Sequence, residues 1–145
     1  MSWFWYALSA SILWGVSYVM NQYIRKHISL IQILFCESMF IVVIFLPYLM
    51  YSGQLKDMAV KLQNWKLLGI LLLGSIIYVC AVTCIFKSIT ASNASLAAVV
   101  EASYPIFTML FAYLILGEIQ FSLMTLVGTG FIIAGLIIIN INPVK

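Results

Sequence analysis

The chain has 145 residues, 65% of them hydrophobic and 8% charged, with a net charge of +3. A soluble domain carries roughly 25% charged residues, and a small domain has too much surface to clothe with so few. The composition excludes a water-soluble domain and points to lipid, and the small, scattered positive charge leaves no basic patch for a nucleic acid.

A membrane-crossing helix needs about 20 apolar residues. Five stretches qualify, at 3–24, 29–51, 67–86, 94–116 and 123–141. The runs are continuous, whereas a barrel would alternate in segments of about 10 residues. Most connections are short, so neighbouring helices should pack antiparallel. The expected fold is therefore an all-α membrane protein with five transmembrane helices in one domain, 1–145.

The first span has no basic residue ahead of it. Arg25 and Lys26 follow it instead, so it is expected to remain as a helix and not to be cleaved as a signal. Ser11, Trp14, Tyr18, Asn21 and Gln22 recur on it at helical spacing, with Gly15 beside Trp14. Aromatic rings and amides on one stripe suit an organic ligand, above all a cation. The plainer alternative makes Trp14 a packing residue and the amides interface markers.

The second span holds Glu37 in "LFCESMF", with apolar helical neighbours that include Phe40 and Ile41. An ionised carboxylate there needs a partner from another helix, so transport and structural pairing both stay open. In the next connection Leu55, Met58, Ala59, Leu62 and Trp65 face Lys56, Asp57, Lys61, Gln63 and Asn64 across a helical wheel. This predicts a surface amphipathic helix over 54–65. The third span carries Ser75, Tyr78, Cys80, Thr83 and Cys84, with Lys87 placed to reach the interface.

The fourth span is the richest. Ala94, Ala98, Glu101, Pro105, Thr108 and Ala112 share one face. Pro105 has no N–H, so the carbonyl of Glu101 loses its helical donor on the face that carries the carboxylate. Both groups must meet protein or water, and an acid within a span is a functional candidate by default. The structural alternative is a hydrogen bond to Tyr18, Tyr78 or Lys87. The fifth span has Gly128, Gly130 and Gly135, which permit close helix approach, and no ionisable side chain. Its expected role is packing. Glu118, in the turn before it, suits the positive end of that helix.

Cys36, Cys80 and Cys84 lie in apolar runs and give no disulfide or metal pattern. His27 stands beside Arg25 and Lys26 without a catalytic partner, and no enzyme motif occurs. The expectation is a chain that is not an enzyme, with no cofactor and no metal. With five spans the ends face opposite sides. Lys56, Lys61 and Lys66 make 3 basic residues on the N-terminal side; Arg25, Lys26, Lys87 and Lys145 make 4 on the other. Orientation follows the excess of Lys and Arg, and here it is one residue. Insertion both ways is the expected result, unless a partner or the surface helix decides.

"LSASILWGVSYVMNQ" resembles the first span of the EamA-type drug/metabolite transporters. "SITASNASLAAVVEASYPIFTMLFAYLILGE" and "VGTGFIIAGLIII" resemble that family's fourth and fifth spans. The shared features are the small residues of 91–98, Pro105 in mid-helix, Gly117 and Glu118 at the turn, and Gly128 and Gly135 after it. The resemblance implies a multi-pass inner-membrane transporter of small organic solutes. Most family members carry two such five-helix units and this chain holds one, so it is expected to pair with an inverted copy as an antiparallel homodimer, with substrate near the midplane.

The leading functional expectation is gradient-driven, proton-coupled export by alternating access, with Glu101, Pro105, Trp14, Tyr18, Tyr78 and Glu37 along the substrate and proton path. Small solute, protons, lipid and a second copy are the expected partners. The alternatives are a cation/proton antiporter similar to the small multidrug resistance proteins, and a non-transporting subunit of a heteromeric complex.

Overall fold

The computed structural model describes residues 2–119 and 121–141, so Lys145 lies outside the described residues. The described elements are all helical: α1 (Ser2–Ile24), α2 (Leu30–Tyr51), α3 (Gln54–Lys61), α4 (Trp65–Ala91), α5 (Ala94–Glu101), α6 (Tyr104–Phe111), a π-helical segment at Ala112–Leu116, and α7 (Leu123–Ile141). Side chains at the helix starts satisfy backbone N–H groups that have no intrahelical partner. Ser29 and Gln32 form a reciprocal capping box at α2, Asn64 caps α4, and Asn93 caps α5.

These caps move two expected boundaries. α3 stops at Lys61, and Trp65 opens α4 behind the Asn64 cap instead of closing the surface helix. α4 also runs through Lys87 to Ala91, past the expected end of the third span. Lys, Ser and Thr are compatible with a helix, so apolarity ends before the helix does.

Among the described residues, three helical stretches are long and apolar enough to cross a membrane: Leu30–Tyr51, Trp65–Ala91 and, taken across its break, Ala94–Leu116. On this measure the expected count of five is not reached. α1 is long enough but diluted by its hydroxyl, amide and aromatic side chains, and in α7 the apolar stretch Leu123–Ile139 is shorter. Nearly every large apolar side chain on these helices is exposed. Such surface is stable against hydrocarbon and costly against water.

The inter-helix packing is concentrated among α1, α4 and α5. Tyr18, Ile89, Ala94 and Ala97 form the buried cluster, flanked by Ile85 and Ala98. Small residues on α5 let the backbones approach, in place of the hydrophobic effect that drives packing in water. Polar bonds tie the same end together. The Ala94 N–H donates to Gln22 Oε1 at 2.8 Å, and Arg25 Nη1 donates to the Phe86 carbonyl at 3.1 Å. The Arg25 guanidinium also lies 5.9 Å from the centre of the Phe86 ring. The bundle is thus pinned where α1 and α4 end and α5 begins.

Candidate functional site

The last turns of α1 bring Trp14, Ser17, Tyr18 and Asn21 onto the face that meets α4 and α5. Trp14 and Tyr18 are one turn apart, with ring centres separated by 5.6 Å. Tyr18 and Asn21 are buried, and Asn21 Nδ2 donates to Ser17 Oγ at 3.4 Å. The Tyr18 hydroxyl donates to Glu101 Oε2. Of the three partners expected for Glu101, the structure selects Tyr18.

Glu101 is the last residue of α5. A turn at Ala102 and Ser103 follows, and α6 begins with Pro105 in its first turn. Proline therefore does more than free one carbonyl: the fourth span is divided at this point. The Ser103 N–H reaches the Val100 carbonyl and the Ile106 N–H reaches the Ser103 carbonyl, both bonds tighter than the helical pattern. Pro105 supplies no N–H to the Glu101 carbonyl.

Around the Tyr18–Glu101 pair lies a cavity of about 470 Å³, a volume suited to a small organic molecule. From α1 it is lined by Trp14, Ser17, Tyr18 and Asn21, and from α2 by Glu37, Phe40 and Ile41. α4 adds Tyr78, Ala81, Val82, Ile85 and Phe86, and α5 adds Glu101. Trp14, Tyr18, Glu37, Tyr78 and Glu101, singled out along the chain, thus stand around one space. Pro105 does not line it; its place is in the helix break below Glu101. Phe40, Ile41 and Phe86 were not singled out as site residues, because an apolar residue in an apolar span carries no signal of its own. The one clue was position, since Phe40 and Ile41 lie one helical turn after Glu37.

The described lining holds two carboxylates and no lysine, arginine or histidine. Lys87, at the end of the third span, does not line it. Aromatic faces beside carboxyl groups, with no basic side chain among them, suit an organic cation better than an anion. Among the described residues there is no cluster of His, Cys, Asp and Glu able to hold a metal ion.

Gly128, Gly130 and Gly135 stand apart from this site. A Cβ built on any of them meets nothing within 4 Å. Among the described residues, then, these glycines bring no other helix close.

A sequence model of the EamA-like transporter family matches residues 1–141. No curated protein and no solved structure matches the chain.

Proposed function

The chain belongs to the EamA-like transporter family, which makes it a membrane transporter of small solutes and implies no enzymatic role, and we propose that it is a gradient-driven secondary transporter working by alternating access. The observation that carries this reading is the Tyr18–Glu101 hydrogen bond at the wall of an aromatic cavity with two carboxylates and no basic residue. The solute is a small organic cation. It competes with a proton for Glu101, and the two exchange in opposite directions. This is the cation/proton reading, favoured over a generic metabolite exporter by the charge of the lining.

In this reading all five apolar stretches cross the inner membrane, with α1 shielding its polar stripe against α4 and α5. The working form is an antiparallel homodimer, supported by the near-balance of basic residues on the two sides. Export follows if the proton gradient drives the exchange.

The test uses proteoliposomes with an imposed pH gradient and tetraphenylphosphonium as the cation. Glu101→Gln keeps the shape and removes the charge, so pH-driven flux should fall by about tenfold or more, as expected for losing a charge-assisted contact. Glu37→Gln should have the smaller effect. Normal, pH-dependent flux in Glu101→Gln would overturn the site. No flux of this cation in the native protein, with flux of a neutral or anionic solute, would overturn the cation class while leaving a transporter. A protein that moves no solute and binds none is a subunit of a larger complex.

A further inference from the structure

Glu101 also borders a second space. Beyond its bond to Tyr18, α1 and α5 part to leave a cleft of about 380 Å³, walled by Ser11, Gly15, Ala98, Ala102 and Tyr104. This cleft and the first cavity share only Trp14, Tyr18 and Glu101 among their described lining residues. One layer of side chains therefore separates the two spaces. The layer is knit by the ring contact of Trp14 with Tyr18 and the hydrogen bond of Tyr18 to Glu101.

The cleft is polar at one edge. Ala102 and Tyr104 flank the broken turn where Pro105 gives no N–H to the Glu101 carbonyl. At membrane depth a carbonyl without its helical donor must meet protein or water. Among the described lining residues Glu101 is the one carboxylate, with no lysine, arginine or histidine beside it. The far wall is small, since nothing stands within 4 Å of a Cβ placed on Gly15.

We propose that the cleft between α1 and α5 is a second, water-filled compartment for the same small organic cation, divided from the first cavity by the Trp14–Tyr18–Glu101 layer. The inference rests on the transport reading above. A cation that reaches Glu101 from either space needs only this layer to rearrange in order to cross. The Tyr18 hydroxyl holds the carboxylate while neither space is occupied, and yields it to the cation.

Thiol accessibility separates this inference from the reading beneath it. A cysteine in hydrocarbon stays protonated and inert, while one in water ionises and reacts. The background is the full chain carrying Cys36→Ala, Cys80→Ala and Cys84→Ala. Into it go Ala98→Cys for the cleft, Ala81→Cys for the first cavity, and Val99→Cys, which lines neither. The probe is a quaternary-ammonium methanethiosulfonate applied to opened membranes. Ala98→Cys and Ala81→Cys should react at least about tenfold faster than Val99→Cys, and tetraphenylphosphonium should slow both. Ala102→Cys repeats the measurement should Ala98→Cys fail to fold. Cleft variants as slow as Val99→Cys, with Ala81→Cys fast, would remove the second compartment and leave transport standing. Fast cleft reaction without protection would overturn its role as a cation site. Three slow positions would sink the transport reading as well.

Discussion

A tyrosine and a carboxylate that meet in lipid each relieve the other of an unpaired polar group. Tyr18 is buried, and its hydroxyl donates to Glu101 across the α1–α5 contact. Tyr18→Phe keeps the ring against Ile89 and Ala97 and deletes the donor. It should destabilise the protein by about 1–2 kcal/mol, the worth of an interhelical hydrogen bond in model membrane peptides. Glu101→Gln should cost less once Tyr18 is already Phe, because residues that share one bond are not additive. Thermal unfolding of the two single variants and the double variant in detergent measures this coupling. Additive losses would show that the bond contributes nothing to the fold. The pairing itself was only half legible in the sequence. Helical spacing placed Tyr18 and Glu101 each on a polar face, and left Tyr18, Tyr78 and Lys87 as equal candidates. Spacing reports the face of a helix; only packing reports which helix stands opposite.

Hydropathy measures how much of an element dissolves in oil, and helices here exceed or divide that length. α4 continues over Lys87 because nothing before Ser92 and the Asn93 cap stops it. The fourth span breaks after Glu101, where Pro105 announced a lost bond but not the full turn at Ala102 and Ser103. The π-helical segment at Ala112–Leu116 had no signal at all; its end is set by Gly117, whose φ of 70° suits glycine. The five site residues on four helices could be gathered because short connections make neighbours antiparallel, but Phe86, at the end of the expected third span, is one apolar residue among many and carried no mark of its own. Pro105→Ala tests what the break does. Alanine restores an N–H to the Glu101 carbonyl and favours one continuous helix. Amide exchange across 101–106 should slow by about tenfold or more, since a bond worth about 1 kcal/mol and a good helix former are both gained. Transport should fall at the same time, because the carboxylate is then held by a stiffer element. Slower exchange with undiminished flux would confine Pro105 to local structure.

The molecule as a whole is pinned at one end and open elsewhere. Arg25 and Gln22 tie α1 to α4 and α5, while α7 stands outside that packing with Leu123, Met124 and Phe131 exposed. Its glycines meet no other helix among the described residues. In lipid there is no hydrophobic gain from covering such a face, so an association must come from close backbone packing. Gly128, Gly130 and Gly135 are the positions on α7 where a second copy can come closest. Gly128→Leu, Gly130→Leu and Gly135→Leu together should therefore shift the protein toward monomer, read by crosslinking in membranes and by mass in detergent. A surviving dimer would place the contact on another helix. The sense of the pairing is a separate question, decided at insertion. If all five apolar stretches cross, Lys56, Lys61 and Lys66 lie towards one face of the membrane and Arg25, Lys26 and Lys87 towards the other. The ion pair of Lys61 with Asp57 at 2.7 Å changes little, because acidic residues scarcely enter the orientation rule. With so small a bias, reporters fused after Lys145 should read both sides of the membrane. Two or three lysines added beside Lys56 should fix one orientation, and transport should collapse if the dimer needs both. Restored flux on mixing that variant with one carrying the lysines beside Lys26 would show that opposite orientations work as a pair. A native chain with one firm orientation, unmoved by the added lysines, would leave a parallel dimer or a different partner as the working form.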